Sequence, residues 1–390
     1  MNKEIIIKKV FLRTFGCQMN VRDSEVICGL LKNAGFEIVQ EAEDPDIVLF
    51  NTCSVRQHAE DKVWSEIGRY CKPKSNRRKP MVGLLGCMAQ NYKEKAFERS
   101  EFVDFVVGPS DIDKIPTIIK DLYSVSQQPS PKALFQRKIW ETDGEARPEV
   151  IYHSGFYEDE NHAFVVISEG CSNFCTYCVV PYVRGAIRHR APQNIIREIE
   201  EAIAAGKESI TLLGQNVNAY QYEDVNFVKL VEFVNAVKGL KEFSFITSHP
   251  KDTSLELFHV IAGMEKLKKS LHLPVQAGSD RILKSMNRGY SRKFYLDLAD
   301  NYRKIVKGAS LTTDIIVGFP TETPDEFQDT YDLVKRVEFN AAYIFKYSPR
   351  PHTEAAHMLD DVAQKEKEWR HKLVLDLQKE ISKKIRKSKE

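Results

Sequence analysis

From Val10 to Tyr347 short apolar runs alternate with helical patterns, and a chain with that rhythm has few ways to fold. In the first third, Val10–Phe15, Asp46–Phe50, Met81–Leu85 and Phe102–Val107 read as strands. Helical patterns follow at Asp23–Asn33, at Ala59–Tyr70, beyond Leu85 and at Ile112–Leu122. A helix between two strands returns the chain to the starting end, so the strands pair in parallel under helices on both faces. All strand C-termini then open on one edge, where ligand crevices form. Cys17, Cys53 and Cys87 stand just beyond successive strands, in Phe-Gly-Cys, Asn-Thr-Cys and Leu-Gly-Cys. Positions 17, 53 and 87 are 36 and 34 residues apart, about one strand–helix unit each. Three thiols from three turns can therefore converge on one point as a three-thiolate site. The plainer reading is three unrelated buried cysteines. Cys28 and Cys71 fall within or at the end of helical patterns, and packing is expected of them.

A chain of 390 residues is too long for one ordinary core and predicts two domains. The first is expected over 1–123 and a linker over 124–158, where Ser, Gln, Pro and mixed charges dissolve the pattern. The second domain, 159–390, ends in a basic helix. Within it, Ala163–Ile167, Ser209–Leu213, Glu242–Thr247, Ser270–Leu273, Leu311–Val317 and Ala341–Tyr347 read as strands, with helices such as Pro192–Ala205 between. Six strand–helix units predict a partial (β/α)6 barrel of the TIM type, so the fold class is α/β throughout. Barrel chemistry sits at the strand C-termini. Gln215, Asn216, Ser248, His249, Gln276, Asp314 and Arg350 are candidates by that position.

Past the first of these strands comes Cys171-Ser172-Asn173-Phe174-Cys175-Thr176-Tyr177-Cys178. The spacing C-x3-C-x2-C is neither the paired C-x2-C of zinc ribbons nor the C-x2-C-x2-C run of bacterial ferredoxins. Three thiolates can hold three irons of a cubane [4Fe–4S] cluster and leave the fourth open to a small chelating molecule. The alternatives are a zinc site with His189 as fourth ligand, or buried thiols. Eight cysteines are too few for a disulfide scaffold. The apolar run near the start is too short for a signal sequence or a membrane span. A reducing cytoplasm suits such thiols. The net charge is +2, so the chain is no polycation. Basic residues cluster at Lys72–Lys79, at Arg184–Arg190 and beyond Lys379, and these runs are the expected source of any phosphate contacts.

The C-x3-C-x2-C loop resembles the radical S-adenosylmethionine (SAM) signature. A wider resemblance covers the chain from about Val10 onward. Gly16-Cys17-Gln18-Met19-Asn20, Asn51-Thr52-Cys53, Gly86-Cys87-Met88-Ala89, the Cys171 loop, Leu213-Gly214-Gln215-Asn216-Val217-Asn218 and Tyr347-Ser348-Pro349-Arg350-Pro351 look like the methylthiotransferase family. Within it they are most similar to the MiaB-type tRNA methylthiotransferases. The ribosomal-protein branch typically has Pro-Lys in place of Gln18-Met19 and lacks the Ser348–Pro351 stretch.

The resemblance implies two [4Fe–4S] clusters: one on Cys171, Cys175 and Cys178 that binds SAM, and an auxiliary one on Cys17, Cys53 and Cys87 that carries sulfur. It implies SAM contacts among Tyr177, Gln215, Gln276 and Asp314, with Tyr177 beside the adenine. The implied reaction places a methylthio group on C2 of N6-isopentenyladenosine next to the tRNA anticodon, through a 5′-deoxyadenosyl radical. The resemblance leaves two neighbouring targets open, another modified adenosine or a ribosomal-protein aspartate, and also a non-catalytic iron–sulfur tRNA-binding role. Implied partners are the tRNA anticodon stem-loop, a flavodoxin or ferredoxin as electron donor, and a sulfur donor, with no membrane. The chain departs from the family at Ile187 and His189, where a carboxylate and a hydroxyl are usual, and at Ala277 and Thr321, where Ser and Gly are usual. The matching stretch closes with a lysine-rich segment, where the family normally continues into a small β-barrel TRAM domain.

Overall fold

The structure is a computed structural model, and it describes residues 8–40, 45–54, 57–71, 79–126 and 138–387. These fall into two compact units, Met1–Glu160 with Tyr182–Gly185, and Asn161–Pro181 with Ala186–Glu390.

The first unit is built on six parallel strands. In chain order its elements are β1 (Lys9–Phe15), α1 (Gln18–Asn33), β2 (Glu37–Val39), β3 (Ile47–Thr52), α2 (Gln57–Cys71), β4 (Met81–Leu85), α3 (Cys87–Tyr92), α4 (Lys95–Arg99), β5 (Phe105–Val107), α5 (Ile115–Ser126) and β6 (Ile139–Glu141). The sheet order is β2-β1-β3-β4-β5-β6. Val48, Phe50, Val82, Leu84 and Val106 lie buried under Val63, Ile67 and Met88, and this apolar layer fixes the register. From β1 the chain moves outward to β2, then crosses back to β3 on the other side of β1. The β1/β3 boundary is thus a topological switch point, where an open α/β sheet forms its crevice.

The sequence pattern misses β2, whose three residues carry no apolar run, and misplaces two further things here. Helix α1 begins at Gln18, directly after Cys17, rather than at Asp23. The expected linker 124–158 is in large part structured: β6 pairs in parallel with β5, and Ile151 and Tyr152 are buried. Arg22 donates to the backbone carbonyls of Tyr152 and Phe156, tying this stretch to α1. Three residues are too few for β6 to carry a period-2 signal. Residues 127–137 lie outside the described set.

The second unit runs β7 (His162–Val166), β8 (Ser168–Glu169), α6 (Val180–Arg184, whose end belongs to the first unit), β9 (Arg188–His189), α7 (Pro192–Ala204), β10 (Ser209–Leu213), the hairpin β11 (Gln221–Tyr222) and β12 (Val225–Asn226), and α8 (Phe227–Ala236). It continues with β13 (Glu242–Ile246), α9 (Leu255–Gly263), β14 (Ser270–His272), α10 (Asp280–Ser285), α11 (Arg292–Ile305), β15 (Ser310–Val317), α12 (Pro324–Val337), β16 (Ala341–Lys346) and α13 (Gln364–Lys387). Six parallel strands form two hydrogen-bonded trios, β7-β10-β13 and β14-β15-β16. The bond from Ser248 N to His272 O and a parallel bridge from Phe243 to Leu267 join the trios. The curve is an open six-stranded partial barrel. Among the described residues no helix is long and apolar enough to cross a membrane.

Candidate functional site

Each unit carries one group of three cysteines past its strand ends. In the first unit Cys17 is the N-cap of α1, Cys53 follows β3 and Cys87 opens α3. Two of the three thus flank the β1/β3 switch point. Gly16 and Gly86 make the turns possible. At Gly16 φ is +140°, and an added Cβ would stand 2.5 Å from the Cβ of Cys53. At Gly86 φ is +80°, and an added Cβ would stand 2.3 Å from Asn51 Oδ1. No side chain fits either place.

Buried amides lock the turns together. Asn20 Nδ2 donates to Asn51 Oδ1 at 3.1 Å, while Asn51 Nδ2 donates to Asn20 O and to Ser24 Oγ, both at 2.9 Å. The thiols are electrostatically uneven. A hydrogen bond from Cys53 brings Cys17 down to about 6, with Arg184 and the amides of Asn20 and Met19 at the start of α1 assisting. Burial pushes Cys87 up, although Arg184 Nε donates to its sulfur at 3.3 Å.

In the second unit the cysteine loop is held from several strand ends. Gly170 N donates to Gln215 Oε1 at 2.6 Å, and Thr176 donates through N and Oγ1 to the carbonyls of Met286 and Ser285. Asn287 Nδ2 donates to the carbonyls of Asn173 and Phe174, the latter at φ +46°. Arg288 is buried and donates to Cys175 Sγ at 3.3 Å and to Pro274 O at 2.8 Å. Burial raises Cys171, and it pushes Cys178 up to about 12 with the charge of Cys175 adding to the effect.

The two groups of thiols suit iron–sulfur clusters by donor chemistry. Each is all sulfur, and each has one buried guanidinium on a cysteine sulfur. Thiolate ligands of a cluster take their outer hydrogen bonds from such donors. Among the described residues no three His, Cys, Asp or Glu side chains stand close enough to share one metal ion. Cubane ligands bind different iron corners and stand farther apart than ligands of one ion. His189, the fourth ligand in a zinc reading, lies on β9 with its ring edge-on to Tyr220 at 5.2 Å.

Asn216 Oδ1, Ser248 Oγ and His249 Nε2 are buried and lack a hydrogen-bond partner among the described residues. Burial, then Arg288 and Lys251, push His249 down to about 2, so it is neutral. Its Nδ1 accepts from Lys251 N, which leaves the proton on Nε2 as a free donor. Buried polar atoms without partners are costly, and these three lie in the loops past β10 and β13.

Of the four residues named as SAM contacts, Gln215 spends its oxygen on the cysteine loop. Tyr177 packs against the cluster of Ala277, Met286, Phe319 and Tyr347, and Arg288 Nη1 lies 3.4 Å from its hydroxyl. Gln276 is buried at φ +72° and bridges to Ile315. Asp314 faces His272 at 3.5 Å. Residue type did not mark Arg288 and Arg184, since both stand in sequence among solvent-type charges.

One expectation about charge is overturned. Arg184 and Arg190 are buried and ion-paired, with Asp23 and Glu198 respectively, and Arg188 approaches Glu169 at 3.6 Å. Carboxylates hold the first two inside, so they are not phosphate contacts. Most of the basic run at 72–79 lies outside the described residues.

Comparison with known proteins agrees with this division. Residues 9–108 match Uncharacterized protein family UPF0004, and residues 165–334 match the Radical SAM superfamily. The tRNA-2-methylthio-N(6)-dimethylallyladenosine synthase of Moorella thermoacetica is 43% identical over 375 residues, 95% of this chain and 82% of the relative. The synthase of the same name from Thermoanaerobacter pseudethanolicus is 42% identical, over 95% of this chain and 78% of the relative. In fold, the chain resembles the radical SAM methyltransferase TsrM of Kitasatospora setae, solved with cobalamin and a [4Fe-4S] cluster. The TM-score is 0.59 at 13% identity, over 90% of this chain and 77% of that one.

Proposed function

We infer the function from one premise: the chain belongs to the tRNA-2-methylthio-N(6)-dimethylallyladenosine synthase family of radical SAM methylthiotransferases. It is an enzyme that adds a methylthio group to C2 of N6-isopentenyladenosine in tRNA, with SAM and [4Fe-4S] clusters as cofactors. The observation that carries the reading is the pair of three-cysteine groups, one past the strand ends of each unit.

When bound, these cofactors supply the electron, the one-electron chemistry and the sulfur, because an aromatic C–H bond does not yield to acid–base attack. The chain's own residues hold and orient. Cys171, Cys175 and Cys178 would hold the SAM-binding cluster, with Arg288 fixing Cys175. Cys17, Cys53 and Cys87 would hold the auxiliary cluster. SAM would meet the orphaned atoms of Asn216, Ser248 and His249, with His249 donating from Nε2. Tyr177, Gln215, Gln276 and Asp314 would complete the SAM contacts at this barrel end, Gln215 while its oxygen accepts from Gly170 N. The anticodon stem-loop would present the base, and a flavodoxin or ferredoxin and a separate sulfur donor would serve the clusters, in a cytoplasmic setting. The domain limits follow the two compact units, at 1–160 and 161–390, with Tyr182–Gly185 lent to the first.

The test is anaerobic incubation of reconstituted protein with SAM, a reductant and isopentenylated tRNA, followed by mass spectrometry of the nucleosides. The expected product is 2-methylthio-N6-isopentenyladenosine. SAM cleavage without any methylthiolated nucleoside would contradict the assignment.

A further inference from the structure

Beside Cys87 stands a group of charges that the reaction as described leaves unused. Arg184 Nε donates to Cys87 Sγ at 3.3 Å, and its Nη2 donates to Asp23 Oδ2 at 2.5 Å. On the other carboxylate oxygen, Arg147 Nη1 donates to Asp23 Oδ1 at 2.7 Å, while its Nε donates to Pro109 O at 2.6 Å. The side chains of Asp23 and Arg147 are 1% exposed and that of Arg184 is 3% exposed. Three charges from three distant places in the sequence are thus stacked inside the first unit, the outermost on a cysteine sulfur. Burial pushes the carboxyl of Asp23 up, but the two guanidiniums outweigh it and hold it below the ordinary range. It is a carboxylate between two cations, and these three groups together carry one positive charge.

Taking such ions out of water is expensive, and well-packed apolar residues would stabilise a core as well or better. A guanidinium on a cysteine sulfur has an electrostatic use, however. A cubane in its 2+ state with three thiolates carries one net negative charge, and accepting an electron adds another. Local charge and hydrogen bonds to ligand sulfur are two of the levers that set the potential of such a cluster.

We propose that Arg184 sets the reduction potential of the auxiliary cluster from its place on Cys87, and that Asp23 and Arg147 are positioning residues that hold its charge there. The inference rests on the assignment of Cys17, Cys53 and Cys87 as cluster ligands. Arg184 lies six residues beyond Cys178 in sequence, yet it belongs to the first unit with Tyr182–Gly185. The segment following the SAM-cluster loop therefore supplies the charge for the other cluster.

The test uses full-length protein with Cys171, Cys175 and Cys178 changed to Ala, so that a single cluster reports. Its potential is read by EPR-monitored redox titration after anaerobic reconstitution. Arg184→Gln removes a positive charge and a sulfur hydrogen bond, and is expected to shift the potential to more negative values. Arg147→Gln removes a charge that acts through Asp23 and is expected to shift it the same way by less. Asp23→Asn removes the negative charge and is expected to shift it to more positive values. A merely structural role would not give opposite signs to changes within one buried triad. If Arg184→Gln fails to keep its iron, the Arg147 and Asp23 variants decide the matter by sign alone. A loaded parent whose potential ignores the triad, or moves one way for all three, would overturn the inference and leave the ligand assignment standing. A parent that binds no iron would overturn the ligand assignment and the inference with it.

Discussion

Replacing Gly86 by Ala should disable the first unit, and the cost can be worked from the turn itself. Gly86 has φ +80° and ψ −154°, a region that only glycine enters readily. Forcing a side chain there costs about 1–3 kcal/mol. The new Cβ would also lie 2.3 Å from Asn51 Oδ1 and 3.2 Å from both Asn20 Nδ2 and Thr52 O. Asn51 cannot step aside freely, because its amide holds Asn20 and Ser24 through buried hydrogen bonds. Losing two of these adds about 2 kcal/mol. The total, about 3–5 kcal/mol, is a large part of the 5–15 kcal/mol that stabilises an ordinary domain. Gly35 is the control: its φ is +90° and nothing stands within 4 Å of an added Cβ, so Gly35→Ala should lose only about 1–2 kcal/mol. Native-state hydrogen exchange on the full-length protein reads the difference in the amides of β3 and β4. Equal losses from the two substitutions would refute the claim that the Gly-Cys turn is fixed by Asn51.

Three further outcomes follow from individual residues. Thr321 sits at φ +67°, a left-handed conformation that favours Gly, and its Oγ1 accepts only from the half-exposed Arg281 within the described residues. Relief of 1–3 kcal/mol, less the entropy of glycine and one weak bond, makes Thr321→Gly stabilising by about 1 kcal/mol in urea unfolding. The hydrogen bond from Arg281 brings Glu326 down to about 2 from an ordinary 4.5. Its contribution is therefore present above pH 4.5 and lost as pH falls toward 2, and the gap between wild type and Glu326→Gln should close over that window. Changing Arg77, Arg78 and Lys79 to Ser should weaken tRNA binding and flatten its log–log salt slope by about 2–3 if all three meet phosphate. An unchanged slope would mark the run as plain solvated surface.

The longer strands of both units were legible because each is an apolar run closed by a turn, and β4 and β10 fall where the pattern puts them, whereas the three-residue β2 and β6 were not. The placement of Cys17, Cys53 and Cys87 was legible for a related reason: each follows an apolar run, and the structure sets each just past a strand. The start of α1 was not legible. Its first turns bury Asn20, Arg22, Asp23 and Glu25, and charges on a buried face contradict the amphipathic pattern by which helices are read. Arg184 and Arg190 failed for the same reason in reverse. They sit in a run that looks like surface, and the carboxylates that draw them inside lie 161 and eight residues away in sequence. Such pairings exist only once the fold has brought the partners together. The orphaned atoms of Asn216, Ser248 and His249 stand between these cases: position named the residues, and only the folded chain shows that these atoms find no partner among the described residues.

The central claim is that the two cysteine groups hold separate clusters with separate work. The most direct measurement changes Cys17, Cys53 and Cys87 together to Ala, reconstitutes the protein anaerobically, and assays 5′-deoxyadenosine and modified nucleosides in one reaction with SAM, reductant and tRNA. 5′-Deoxyadenosine is expected still to form, and no methylthiolated adenosine to appear. Methylthiolated product from that variant would contradict it.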